Sequence, residues 1–159
     1  MTYGVSCGFS TKVHLLCDGR GNPLAAGLSP GQDHDSRYLD ELLDAETICG
    51  NEDETPIMPV KLAGDKAYRM GRIDELLLQR NITPAVPNKT NEDREARVVP
   101  FDKPSYRKRS IVEQLIGWLK ECHRAATRYE KRGHHFLSMV KLAMIGRDLR
   151  RISPIGSMV

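Results

Sequence analysis

Four polar side chains in the last third of the sequence have a spacing that could support chemistry on a phosphate. Tyr106, Arg109, Glu113 and Lys120 follow one another at intervals of three, four and seven residues. At about 100° per residue they lie within an arc of about 60° on one helix. A carboxylate among cations can hold a divalent metal ion while the cations contact a phosphate backbone. The alternative is an ordinary surface ion pair, because acids and bases four residues apart pair routinely on exposed helices.

The segment that carries these side chains, about residues 105–121, is predicted to be one amphipathic helix. Its apolar residues occupy a neighbouring arc of about 160° that would face the core. Trp118 lies in that arc, so we expect it to be a core residue and not a platform for base stacking. Gly117 lies on the polar side one turn after Glu113 and leaves space for a ligand to approach. The apolar arc consists of Ile111, Val112, Leu115, Ile116, Trp118 and Leu119.

A second carboxylate, Asp65, follows a predicted strand over residues 58–64. Open α/β sheets place ligand sites at the carboxyl ends of their strands. Asp65 could equally be a helix cap or a turn residue. Taken with Glu113, it suggests two carboxylates for magnesium, which takes its remaining ligands from water and phosphate. Ions held in this way can activate water and stabilise the leaving oxygen in phosphodiester cleavage.

The charge distribution points to a polyanionic partner of the second half of the chain. The net charge of the 159 residues is only +3. Residues 1–80 hold 8 basic and 13 acidic side chains, whereas residues 81–159 hold 16 basic and 8 acidic ones. The asymmetry is typical of a nucleic-acid-binding surface, although a solvated basic helix face would produce the same composition.

Composition excludes several classes of protein. Apolar residues make up 40% and charged residues 28% of the chain, which excludes a disordered protein and favours a single globular domain. The four cysteines are scattered without zinc-ligand spacing, which is typical of reduced thiols in a cytoplasmic protein. No apolar stretch approaches about 18 residues, so neither a membrane span nor export is indicated.

The order of predicted elements favours an α/β fold. A β-hairpin is predicted from residues 11–17 and 24–29, joined by a turn-rich segment. A short helix then opens near Ser36, with Asp35 or Ser36 as its cap. The order strand, helix, strand that follows predicts a parallel unit. The remaining predictions are the strand 58–64, the helix 72–80, the strand 82–86, a polar loop over 88–104, and helices over about 105–121 and 134–151.

The spacing from Tyr106 to Lys120 resembles the signature of the DDE transposases of bacterial insertion sequences. Five further blocks resemble segments of that family in the same order, so that the resemblance covers about residues 8–151. These blocks are Thr11-Lys12-Val13-His14-Leu15, Asp18-Gly19-Arg20-Gly21-Asn22-Pro23-Leu24, Gly31-Gln32-Asp33-His34-Asp35, Ala63-Gly64-Asp65-Lys66-Ala67-Tyr68 and Ala126-Thr127-Arg128-Tyr129-Glu130-Lys131.

The resemblance implies an RNase H-like mixed sheet flanked by helices. It also implies cutting and joining of double-stranded DNA, at transposon ends and target, with Mg²⁺ or Mn²⁺ held by three acids. By position, Asp65 is similar to the second acid and Glu113 to the third. Tyr106, Arg109 and Lys120 would contact DNA or shape the site.

One feature departs from the family pattern. The family carries its first Asp on a strand upstream of the segment similar to residues 11–17, whereas only ten residues precede Thr11 here and none is acidic. Asp18 is a poor substitute because its Asp-Gly context places it in the hairpin turn. We therefore expect residues 1–159 to be a truncated catalytic domain that lacks the first strand.

Such a domain is expected to be inactive alone and to form a homo-oligomer or to pair with the missing N-terminal part. The alternative is a non-catalytic DNA-binding remnant that regulates an intact transposase. A third hypothesis is a gene remnant without a stable fold.

Overall fold

The structure, a computed structural model, describes residues 11–45, 59–89, 99–122 and 132–152. The first ten residues, residues 46–58, most of the polar loop expected over 88–104 and the block 126–131 lie outside the described residues. The described chain is a mixed α/β structure.

The predicted hairpin is confirmed. Strand β1 (Thr11–Cys17) pairs antiparallel with β2 (Pro23–Pro30), and the register shifts between Leu16 and Cys17. In the turn, the Asp18 carboxylate accepts hydrogen bonds from the backbone N–H groups of Arg20 and Asn22, both at 2.8 Å. Gly21 has a φ of +80°, which a residue with a side chain rarely adopts. The turn residues therefore fix the hairpin through their own chemistry.

The segment after the hairpin differs from its prediction. A 3₁₀ turn covers Asp35–Arg37, and α1 (Leu39–Ala45) begins later than expected. Neither Asp35 nor Ser36 is the cap of this turn, because the ring of His34 accepts from the Ser36 N–H. Asp35 instead forms an ion pair with Lys12 of β1 at 2.9 Å. The predicted cap was wrong because a tertiary partner on β1 engages the carboxylate.

The predicted parallel unit is confirmed with shorter strands. It consists of β3 (Lys61–Ala63), α2 (Gly71–Gln79) and β4 (Thr83–Ala85), with Leu62 opposite Pro84. The Thr83 N–H donates to the Val60 carbonyl at 2.9 Å, on the side of β3. Because successive N–H groups of a strand point to opposite sides, the nitrogen of Pro84 lies on the outer side of β4, where it has no hydrogen to donate.

The helix expected over residues 105–121 is interrupted. It is divided into α3 (Lys103–Arg107) and α4 (Ser110–Glu121), and the last described helix is α5 (Gly133–Ile152). Between α3 and α4 the backbone bonds run from residue i to i−3, including Arg109 N–H to Tyr106 O at 3.0 Å and Val112 N–H to Arg109 O at 3.1 Å. The chain is therefore a tighter 3₁₀ segment at this point.

Two hydrophobic clusters lie on opposite sides of the hairpin. The cross-strand pair Leu16 and Ala25 belongs to the first cluster, and the adjacent pair Leu15 and Ala26 to the second. Trp118 packs against the second cluster, as expected. Since successive strand residues point to opposite faces, the hairpin forms a layer between helices. The first cluster adds Leu39, Leu42, Leu43, Tyr68, Ile73, Leu77, Ile82 and Val86, and the second adds Leu115, Leu119, Phe136, Val140 and Met144.

A histidine is buried in the hairpin layer. His14 is 1% exposed, its Nε2 forms a hydrogen bond of 2.7 Å with Ser29 Oγ, and its ring stacks on Tyr38 with centroids 5.0 Å apart. Burial lowers its pKa from the ordinary value of 6.5, an effect that Lys12 reinforces and Asp35 opposes. The fold therefore favours the neutral imidazole.

We expect acid to destabilise the domain through His14. Since the folded-state pKa lies below the unfolded value, this contribution is fully present above pH about 6.5 and is lost as the pH falls below it. The free energy of unfolding should fall by up to about 1.4 kcal/mol per pH unit. Urea unfolding between pH 7.5 and pH 5.5 measures this slope. His14→Gln does not titrate and should flatten it, and an equal slope in the variant would contradict the assignment.

Candidate active site

Asp65 lies two residues after β3 and is the N-cap of a 3₁₀ turn, Lys66–Tyr68. Its Oδ1 accepts from the Ala67 N–H at 2.9 Å, and the side chain is half-buried. Asp65 is thus both a cap and a strand-end carboxylate. The hydrogen bond fixes one oxygen, and the second oxygen has no partner among the described residues, so it is open to a ligand.

Close packing behind Asp65 holds its loop in place. Tyr68 is buried in the first cluster, and burial together with Asp35 and Asp65 raises the pKa of its phenol. A Cβ on Gly64 would meet the Tyr68 ring at 3.3 Å, which is tighter than ordinary contact. The absence of a side chain at residue 64 therefore lets the backbone beside Asp65 approach the ring.

Three of the four signature residues form a continuous chain of contacts. The Arg109 guanidinium carbon lies 5.4 Å from the centroid of the Tyr106 ring, and Arg109 Nη2 lies 2.8 Å from Glu113 Oε1. Phe101 packs edge-on against Tyr106 with centroids 5.4 Å apart. Lys120 lies nearly two turns beyond Glu113, in the last turn of α4. The Arg109–Glu113 ion pair, which helical spacing alone would explain without any functional role, is therefore present. Because both side chains are partly exposed, this ion pair contributes little to stability.

The 3₁₀ segment explains why this chain of contacts survives the break between α3 and α4. At three residues per turn, side chains three apart lie in line, which places Arg109 over Tyr106. Beyond Arg109 the chain is α-helical, and side chains four apart become neighbours, which places Glu113 beside Arg109. Gly117 has no heavy atom within 4 Å of an added Cβ, so the expected space on this side of α4 is present.

A cavity of about 540 Å³ brings Asp65 and Arg109 to a common space. It is bordered by residues of β1 and β3 and by the segment from Ser105 to Val112. Glu113, Tyr106 and Lys120 are not among its lining residues; Glu113 is linked to it through Arg109. The structure therefore brings one predicted acid together with one predicted cation, and places the other acid one side chain away.

The cavity is open to solvent on one side, since exposed residues such as Lys61, Ala63 and Lys108 border it. Water or a ligand can therefore reach Asp65 and Arg109 from outside.

An ion pair absent from the sequence-based predictions connects the two parts of the site. Lys61 Nζ of β3 lies 2.6 Å from Asp102 Oδ2, and Asp102 caps α3 by accepting from the Ser105 N–H at 3.0 Å. Together, Lys61 and Ser105 lower the pKa of the Asp102 carboxyl. The sequence does indicate the cap, because Asp102 followed by Pro104 and Ser105 is a typical helix start. No neighbouring residue, however, indicated that Lys61 would be the ion-pair partner of Asp102.

The donor types suit a divalent metal ion, but the described residues do not complete a site. Asp65 and Glu113 offer carboxylate oxygens, which magnesium and manganese prefer. Within residues 11–45, 59–89, 99–122 and 132–152, no three His, Cys, Asp or Glu side chains lie close enough to share an ion. Asp18, which also lines the cavity, is already engaged by the hairpin turn, and its bonds from Asn22 and Arg20 outweigh burial and lower its pKa.

The fold and site can be compared with known families. A family model described as "Transposase DDE domain" matches residues 6–145. The chain belongs to the DDE transposase family. The match includes Asp65 and the whole segment from Tyr106 to Lys120, and it confirms the resemblance seen in the sequence. No curated protein matches the chain, and no solved structure does.

Family membership links this transposase domain to DNA and to transposition. DDE transposases generally act with divalent metal ions, in keeping with the carboxylates described above. Among the described residues, no helix combines the length and apolar character needed to cross a membrane.

We expect the charge and the cap of Asp102 to be separable by substitution. Asp102→Asn keeps a good N-cap and removes the charge facing Lys61, whereas Asp102→Ala removes both. Because the ion pair is largely exposed, the Asn variant should melt close to the parent, and the Ala variant a few degrees lower. Circular dichroism during heating measures both. An equal loss in both variants would assign the effect to the ion pair instead of the cap.

Proposed function

We propose that residues 1–159 are a truncated RNase H-like catalytic domain, and that the complete enzyme cleaves DNA strands and transfers transposon ends to target DNA. One observation carries the proposal. Asp65 and Arg109 border the same cavity, and Arg109 binds Glu113. One carboxylate thus borders the cavity, and the second is paired with a cation that borders it and suits a phosphate.

The architecture supports the RNase H-like assignment. An antiparallel hairpin precedes a parallel strand pair, and helices cover both faces of the hairpin layer. This order agrees with a mixed sheet that lacks its first strand. The cavity between β1 and β3 lies where a further strand would join the two pairs.

Each site residue has a distinct proposed role. Asp65 and Glu113 would hold Mg²⁺ or Mn²⁺, and the ion would supply activation of water and charge stabilisation at the leaving oxygen. Arg109 orients the Glu113 carboxylate with one nitrogen and has further N–H donors for a phosphate oxygen. Tyr106 holds the Arg109 guanidinium over its ring, and Lys120 contacts the DNA backbone further along α4.

The domain is proposed to be inactive alone. The described residues contribute two of the three acids that the family uses, and Asp18 is held in the hairpin turn. Activity then requires a first acid from elsewhere, through pairing with the missing N-terminal part or within an oligomer.

We expect Glu113→Gln or Asp65→Asn, introduced into a version of the transposase with all three acids, to reduce strand cleavage at least about a hundredfold. Each change keeps the shape of the side chain and removes the charge needed to hold the ion. Cleavage of a transposon-end duplex with Mg²⁺ or Mn²⁺ measures the loss.

Glu121→Gln is the matched control, because Glu121 is an exposed acid at the end of the same helix and lies outside the signature stripe. It should cleave at the parental rate. Unchanged cleavage in Glu113→Gln would refute the proposed role of Glu113.

A second candidate is a non-catalytic DNA-binding remnant that regulates an intact transposase. One observation favours this candidate: many basic side chains between α3 and α5 are exposed to solvent. Eight described Lys and Arg residues of this region are exposed, namely Lys103, Arg107, Lys108, Lys120, Arg132, Lys141, Arg150 and Arg151. Such a surface binds DNA phosphates without requiring a metal ion.

We expect the isolated chain to bind duplex DNA with an affinity that falls steeply with salt. If four to six of these cations contact phosphates, the slope of log K against log salt should be about −4 to −5. Fluorescence anisotropy at several salt concentrations measures this slope. If the chain regulates without catalysing, its affinity for DNA should also be the same with and without Mg²⁺. Metal-dependent nicking of DNA by the isolated chain would contradict this second candidate.

A further inference from the structure

Helix α5 is apolar on two opposite faces. One face packs into the second hydrophobic cluster through Phe136, Val140 and Met144. The other face carries four large apolar side chains, each between 54% and 81% exposed. These are Leu142, Ile145, Leu149 and Ile152, which together are called the α5 seam. A contiguous apolar surface of this kind on a folded domain marks an interaction site.

The spacing and the width of the α5 seam specify what kind of surface covers it. Its residues follow one another at intervals of three, four and three, which is the a and d repeat of a helix that packs along another helix. At about 100° per residue they lie within an arc of about 80°. A helix face buried in a globular core is at least about 100° wide, whereas the narrower a and d arc faces a single helix. The seam therefore fits one helix with the same repeat.

Two charged residues flank the seam on one side. Lys141 and Asp148 directly precede Leu142 and Leu149, and they lie about 10 Å apart along the helix axis. Neither forms an ion pair with another of the described residues. Lys141 is exposed, and one carboxylate oxygen of Asp148 is buried without a hydrogen-bond donor in the described part of the chain. A facing helix with the opposite order of charges would compensate both side chains.

We propose that the α5 seam is the interface of a two-fold dimer, in which α5 of a second copy of this chain packs antiparallel along it. In this arrangement Leu142 of each copy shares a layer with Ile145 of the other. Lys141 of each copy then lies beside Asp148 of the other, so that two equivalent ion pairs flank the apolar layers. Because a two-fold interface uses the same surface on both copies, the assembly closes at the dimer.

The charges select this alignment among those that the apolar repeat permits. In a parallel pair, Lys141 would lie beside Gly146 of the second copy and would gain no ion pair. In an antiparallel pair shifted by one heptad, the two Asp148 carboxylates would lie beside each other, which like-charge repulsion disfavours. The proposed alignment brings together residues 135–152 of both copies, nearly the whole of α5. None of these residues belongs to the proposed metal site, so the inference stands apart from the proposed function.

Sedimentation equilibrium of the full 159-residue chain tests the dimer and should show a concentration-dependent equilibrium between monomer and dimer. Leu142→Lys places a charge in the central layers and should raise the dissociation constant at least about tenfold. Since Leu142 is exposed, the variant monomer should melt at the parental temperature. Leu78→Lys is the matched control, because Leu78 is a partly exposed leucine of α2 outside the seam, and it should dimerise like the parent. Equal dissociation constants for Leu142→Lys and the parent would overturn the proposal.

Charge reversal tests the alignment. Lys141→Glu and Asp148→Lys should each raise the dissociation constant at least about threefold, because each change sets like charges beside each other twice in the dimer. The double variant restores both pairs with reversed sign and should dimerise like the parent. Circular dichroism during heating shows whether each variant folds. A folded double variant that dimerises no better than the single variants would overturn the antiparallel alignment.

Two other occupants of the seam predict different outcomes. If a segment of the same chain covered it, the parent would remain monomeric at every concentration, and Leu142→Lys would lower the melting temperature. Species larger than a dimer that disappear in Leu142→Lys would show an interface that does not close. Either outcome would overturn the two-fold dimer.

Discussion

The alternation of side chains along β1 is the constraint on which the structure depends. Leu16 points into the cluster formed with α1 and α2, and Leu15 into the cluster formed with α4 and α5. A slip of one residue in the pairing with β2 would exchange these faces. Both clusters, together with the turn that begins at Asp65 and the helix that carries Glu113, therefore depend on the register of one hairpin. The turn around Asp18 and Gly21 sets that register, so the Asp18 carboxylate has a structural role in the hairpin.

The position of the signature residues depends on a local change of helix type. On a single straight α-helix Tyr106 and Arg109 would lie about 60° apart around the axis, whereas the 3₁₀ segment brings them close to alignment. The Lys61–Asp102 ion pair then holds the start of α3 against β3. Backbone geometry thus aligns Tyr106, Arg109 and Glu113 with one another, and one ion pair positions their segment against β3.

Local patterns predicted much of the fold. Alternation and turn chemistry indicated the hairpin, and apolar spacing indicated α2 and α4, because these features depend on neighbours within a few residues. The break at residues 108–109 was not predicted, since most of its residues are good helix formers in sequence. The Lys61–Asp102 contact joins residues 41 apart, and the cap at His34 depends on Asp35 being engaged by Lys12. The site residues were selected by type and spacing; the cavity that joins Asp65 to Arg109 comes from packing and could not be seen in the sequence.

Pro84 has a consequence for assembly. The outer side of β4 lacks the N–H that a further strand would need at this residue, and β2 begins and ends with proline. Open sheet edges normally invite copies of a protein to stack without limit. Here the outer edges of β2 and β4 are poor templates for a further strand. Growth of the sheet from these outer edges is therefore disfavoured, which keeps copies of the domain from stacking into fibres.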